Sequence, residues 1–198
     1  MRIKSNWFKG GRQRTPQEIA GALAFVIWRI GDNALKSTRN ANFEIAVGMQ
    51  YFSFLAELLV FLVQVADRIA YRQLSAEDRL AFTSILANRV AETLAENQSR
   101  LVGDSIGKHK QHFIDKLNQR AAEYADFNYD HNGPEFAFTR YLGFCMTEVM
   151  DTKDAAWVVD QMMEVTAPEA VEMVEKTMRD LFEAEQRQAQ VRRSVSGD

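Results

Sequence analysis

Tyr51-Phe52-Ser53-Phe54-Leu55-Ala56-Glu57-Leu58-Leu59-Val60-Phe61-Leu62-Val63-Gln64-Val65-Ala66 is the most apolar stretch of the chain, and its few polar residues fall in a pattern. At 100° per residue, Gln50, Ser53, Glu57, Gln64 and Arg68 share one stripe about 100° wide, with Asp67 at its edge, and the rest of the circumference is apolar. A helix of that kind needs neighbours on most of its sides. The stretch therefore predicts an all-α fold, a single compact bundle-like domain of six or seven helices around a central apolar helix over residues 49–72. The run is too short, and too interrupted by Glu57 and Gln64, for a membrane span of ~20 residues.

Outward from that helix, the boundaries are legible. Thr15-Pro16-Gln17-Glu18 offers an N-cap hydroxyl, a proline at the first helical position and a glutamate three residues past the cap, predicting a helix to about residue 39. Ser75 with Asp78 predicts the start of a third helix, running to about Asn97. Gly103 and Gly107 punctuate the next link, and Phe113, Leu117, Ala121 and Tyr124 mark one face of a fourth helix. Asn132-Gly133-Pro134 reads as the start of a fifth, carrying the stripe Phe138, Tyr141, Leu142, Cys145 and Val149. A sixth is capped by Asp151 or Thr152, and Thr166-Ala167-Pro168-Glu169 looks like a capping box opening a seventh. The sequence turns polar after Ala184. The expected organisation is a basic flexible arm over residues 1–14, a helical domain over 15–185 and a polar tail over 186–198.

Composition narrows the function classes. The 198 residues are 46% hydrophobic and 26% charged, values that suit one globular domain with its own core. Cys145 is the single cysteine, which excludes an intramolecular disulfide framework and suits a reducing compartment. With no apolar segment of signal-peptide type after the basic N-terminus, a cytoplasmic protein is expected.

Candidate chemistry is sparse. Asn128-Tyr129-Asp130-His131-Asn132-Gly133 resembles the first half of a calcium loop, but the twelfth position, where a bidentate glutamate belongs, is Thr139. Asx turns and a helix cap explain the same letters, so no metal is expected there. His109 and His112 lie three apart beside Lys108, Lys110 and Lys116, which reads as a solvated basic face. Cys145 sits within an apolar stripe and reads as packing. No phosphate loop, dinucleotide fingerprint, nucleophile elbow or zinc helix occurs, and no cofactor is implied. The polar stripe of the central helix, Ser53, Glu57, Gln64 and Arg68, is the candidate ligand-binding seam. Its position lets Glu57 reach solvent or a hydrogen-bonded seam, so Glu57→Gln is expected to cost little.

Charge is unevenly distributed. Residues 1–14 carry Arg2, Lys4, Lys9, Arg12 and Arg14 and no acid, while residues 148–185 carry eleven acids against three bases, a net of −8. The arm, with Trp7 and Phe8, reads as a partner-binding segment suited to an acidic protein surface. The acidic body disfavours nucleic acid. Six of the eight methionines lie between Met146 and Met178, a composition that suits adaptable surfaces. Together these features predict a non-catalytic helical interaction or regulatory protein that self-associates as a homodimer. The alternative is an enzyme or small-ligand-binding protein whose seam near Glu57 lines an inter-helix pocket.

Overall fold

Thr15 opens the first helix as its neighbours require. Its Oγ1 accepts from the Glu18 backbone N–H at 3.2 Å while the Glu18 carboxylate accepts from the Thr15 N–H at 2.9 Å, a reciprocal capping box with Pro16 at the first helical position. The structure, a computed structural model, describes residues 15–195, with side chains as far as Glu183. Its helices are α1 (Pro16–Asn40), α2 (Met49–Tyr71), α3 (Ala76–Val102), α4 (Ile106–Tyr124), α5 (Phe136–Thr147), α6 (Thr152–Gln161) and α7 (Ala167–Val195). Ser75 caps α3 through its hydroxyl, which accepts from the Asp78 N–H at 3.1 Å. The architecture is the all-α bundle that the apolar stretch predicts.

α2 is the axis of the bundle and contacts α1, α3, α4, α5 and α7. Every residue from Phe54 to Ala66 is buried. It is the one described helix long and apolar enough to cross a membrane by length and composition, and most of it lies inside the bundle. At the end of the domain formed by α2, α4 and α5, aromatic rings interlock. Tyr124 packs on Phe138 at 4.6 Å and edge-on to Tyr141 at 4.9 Å, and Phe61 meets Phe138 at 5.7 Å.

α3 runs five residues past its expected end near Asn97, and three further boundaries differ from the sequence reading, each for a local reason. Gly133 and Pro134 do not start α5. They form a two-residue strand, β2 (Gly133–Pro134), paired antiparallel with β1 (Tyr129–Asp130), and Glu135 becomes the N-cap of a helix that begins at Phe136. Gly133 has φ 99°, a left-handed turn conformation that a helix cannot contain. Thr166 does not cap a separate helix either. Residues 162–166 form a π turn joining α6 to α7, with the Ala167 N–H reaching back to the Met162 carbonyl. Pro168 has no N–H to continue an ordinary ladder, and the wider turn absorbs that missing donor without ending the helix. Finally, the backbone of α7 stays helical to Val195, past the polar change at Ala184. Glutamine, glutamate, arginine and alanine there favour helix on intrinsic propensity, which an argument from apolar periodicity overlooks.

Two glycines set helix separations. A Cβ on Gly31 would lie 3.0 Å from side-chain carbons of Leu55 and Leu59 on α2, and one on Gly143 would lie 3.2 Å from the Val159 Cα on α6. Side-chain ends can give way, whereas backbone cannot. We expect Gly143→Leu to destabilise the protein by about 1–3 kcal/mol through overpacking of the α5–α6 contact, read as a lower urea midpoint.

Candidate functional site

At Glu57 the polar stripe of α2 does not face water. α4 and α5 lie across it, and Glu57 is 2% exposed. Arg120 on α4, 7% exposed, meets it in bidentate fashion, Nε to Oε2 at 3.1 Å and Nη2 to Oε1 at 3.0 Å. Lys116, one turn earlier, donates to Oε1 at 2.6 Å. The remaining donors of Arg120 reach the Tyr141 hydroxyl at 2.8 Å, Glu123 at 3.2 Å and Glu148 at 2.9 Å. Tyr141 also donates to Glu123. α2, α4 and α5 are thus held by one ion-pair network with complementary donors and acceptors.

Electrostatics follow from that closure. Burial works against the Arg120 charge, but the hydrogen bonds and attraction from Glu57 win and hold its pKa above the ordinary guanidinium value. Burial would raise the Glu123 carboxyl; hydrogen bonds from Tyr141 and Arg120 outweigh it and hold the pKa low. Burial, reinforced by the Glu57 carboxylate, pushes the Cys145 thiol up to about 12. Such a thiol is almost entirely protonated at neutral pH, unsuited to nucleophilic work and consistent with the packing role read from its stripe.

Of the two places expected for Glu57, solvent or a hydrogen-bonded seam, the structure has the seam; Lys116 is a correction, lying in the same inter-helix junction and not on a solvated face. Arg120 was missed altogether. Its signal was present, because it falls three residues after Leu117 and four before Tyr124, inside the apolar stripe of α4. A charge in that position requires a buried partner of opposite sign.

The four residues of the predicted seam do not converge on one cavity. Ser53 is half-buried one turn before Glu57. Arg68 donates to the Tyr124 carbonyl at 2.8 Å, capping the end of α4. Gln64, 8% exposed, faces a cavity of about 540 Å³ between α2, α3 and α4, two turns along α2 from Glu57. The candidate partner-binding residues Arg2, Lys4, Trp7, Phe8, Lys9, Arg12 and Arg14 lie outside the described residues. In the acidic later part of the chain, Glu175 on α7 accepts from the Tyr129 hydroxyl at 2.7 Å.

The loop before α5 is turn chemistry. The Asp130 carboxylate accepts from the Asn132 N–H at 2.7 Å, and Glu135 accepts from the Asn128 N–H at 2.8 Å. His109 contacts the Gly103 carbonyl at 2.8 Å, tying α4 to the preceding link. Among the described residues no three His, Cys, Asp or Glu side chains come together in a way that could hold a metal ion.

A second concavity opens between α1, α3 and the later part of α7. It has a volume of about 760 Å³ and is lined by Gly21, Ala22, Phe25 and Val26 of α1, Ile85 and Arg89 of α3, and Thr177 and Leu181 of α7. Phe25 is 64% exposed at its edge. No protein-family model, curated protein or solved structure matches the chain.

Removing one member of a buried pair strands the other, so we now expect Glu57→Gln to cost about 3 kcal/mol rather than little, with Arg120 and Lys116 left in excess. Replacing both Glu57 and Arg120 by methionine should recover most of that loss in equilibrium unfolding. Acidification should act through Glu123. A carboxyl whose pKa folding depresses contributes stability above its unfolded pKa and loses it as pH falls through the folded value. Melting temperature should therefore drop below the ordinary carboxylate range, and Glu123→Gln should flatten that drop. Cys145 should react with a thiol reagent at mildly alkaline pH only after unfolding.

Proposed function

We propose that this chain is a non-catalytic helical interaction protein that docks a helix of a second copy in the groove between α1, α3 and α7. The observation that carries the reading is the pattern of knobs and holes on the open side of α1. Phe25 projects from the surface, while a Cβ built on Gly21 would meet nothing within 4 Å, so a protrusion and a hollow sit one turn apart. Two α1 helices set antiparallel about a two-fold between residues 23 and 24 would bring Phe25 of each opposite Ala22 of the other, and Val26 opposite Gly21. The same register sets Glu18 at one end opposite Arg29 at the other, joining opposite charges. Positions 18, 22, 25 and 29 share one helix face, so all these pairs form together. Isologous pairing of this sort is the commonest closed assembly, and helix-in-groove docking suits an apolar cleft.

Other features support the reading. The densest group of ionisable side chains is closed and internally paired, as a structural core would be. The burial of α2 and the free thiol of Cys145 fit a soluble, cytoplasmic setting. Gln17 and Glu18, in the first turn of α1, line the edge of the groove.

Light scattering coupled to size exclusion tests the assembly. Wild type should elute as a dimer and Phe25→Glu as a monomer with an unchanged melting profile, since an exposed substitution costs within about 0.5 kcal/mol. Trp157→Glu, on the exposed face of α6, should stay dimeric. A monomeric wild type, or a dimer indifferent to Phe25→Glu, overturns the proposal.

A further inference from the structure

Seven polar or charged residues are buried among the described residues, and six of them have hydrogen-bond partners. Glu57 and Arg120 hold each other. Thr38 donates to the Ala34 carbonyl, Asp154 accepts from the Glu44 N–H, Gln98 reaches the Met49 sulfur, and Thr166 meets Gln161. Gln64 is the exception. Its amide, with one acceptor and two donors, makes no hydrogen bond to any described residue although it is 8% exposed. A buried amide without a partner is unfavourable, and protein interiors rarely keep one without a compensating contact.

Gln64 lines the cavity of about 540 Å³ between α2, α3 and α4. That volume lies within the range of small-molecule sites, roughly 300–1,000 Å³. The cavity's charged wall is already neutral. Asp67 accepts from the Arg79 Nε at 2.9 Å and from the Thr83 hydroxyl at 2.6 Å, leaving neither ion seeking a counter-charge. The rest of the lining mixes Val63, Ala87 and Leu117 with exposed Leu80 and Asn118 at the mouth. Such a site favours a flat apolar body and a single polar edge. A glutamine amide offers a donor beside an acceptor and pairs in bidentate fashion with an edge of the complementary pattern.

We propose that the α2–α3–α4 cavity binds a small neutral planar compound whose N–H donor lies beside an acceptor oxygen or nitrogen, a lactam or heterocyclic base, on the side-chain amide of Gln64. This site lies apart from the α1 groove and does not depend on self-association.

Uracil and 2-pyridone are suitable probes, and 1-methyl-2-pyridone, which lacks the N–H, is the control. At millimolar concentration the two probes should shift the Gln64 side-chain amide signals saturably in a nitrogen–proton correlation spectrum and raise the melting temperature. The methylated control should bind at least about tenfold more weakly, because it leaves the amide half-paired. Gln64→Leu should abolish the ligand-induced rise in melting temperature and raise the melting temperature of the ligand-free protein, since it removes an unpartnered buried amide. Should Gln64→Leu not fold, Gln64→Met carries the same comparison. Absence of a saturable shift with both probes, equal binding of the methylated control, equal binding by the variant, or a variant that folds but melts lower without ligand each overturns the assignment.

Discussion

Burying α2 on all sides leaves the carboxylate of Glu57 with no access to bulk water, and much of the domain's geometry follows from how that charge is answered. Taking an ion out of water costs several kcal/mol even after relaxation, so an isolated carboxylate would not remain ionised inside the bundle. Arg120 and Lys116 answer it from α4, while Tyr141 and Glu148 bind the guanidinium from α5 and the turn that follows it. The pair is weak evidence for net stability, because apolar residues of similar shape would serve as well. Its effect is on registry. Sliding α4 by one helical turn, about 5.4 Å, would break both arms of the bidentate contact at once. The interlocked rings of Phe61, Tyr124, Phe138 and Tyr141 occupy the adjoining space, so charge and packing select the same arrangement of α2, α4 and α5.

Polar burial takes two forms around this one helix. Toward α4 and α5 the donors of Arg120 are taken up by Glu57, which accepts two, and by Glu123, Tyr141 and Glu148, and no substrate-sized space is needed to complete the network. Toward α3 the amide of Gln64 is left open beside a cavity. The distinction matters for function because catalytic and binding groups must keep some of their hydrogen-bonding capacity for a ligand. A dense cluster of titratable residues is therefore the less informative feature of this protein, and a lone unpartnered amide the more informative one. Outside both, Phe25 stands exposed on α1, and open space lies beside Gly21 one turn away.

Local chemistry was readable wherever a few neighbouring residues determine it. The capping box at Thr15 and Glu18 and the cap at Ser75 depend on residues three positions apart, and both form as expected. The apolar surround of α2 similarly demands neighbours whatever they are. Reading failed where two local rules competed. Gly133-Pro134 suits a helix start as well as a turn, and the turn prevails because pairing with Tyr129 and Asp130 satisfies its backbone. Thr166-Ala167-Pro168-Glu169 matches a capping pattern, yet packing of α6 and α7 against their neighbours keeps the helix continuous through a π turn.

The sequence by itself determined the class of fold and the central place of α2, because periodicity and capping are properties of one segment at a time. Tertiary structure alone decided what the polar stripe does. A helical wheel places Glu57 and Gln64 on the same side of α2, but it holds no information about which helix arrives there. Arg120 stands 63 residues from Glu57, and only the crossing of α4 over α2 makes them partners. Seven residues along the same helix, no such partner arrives for Gln64, and a cavity lined by α2, α3 and α4 lies there instead. Pairing across such separations is set by how helices pack, which the pattern within any one of them does not encode.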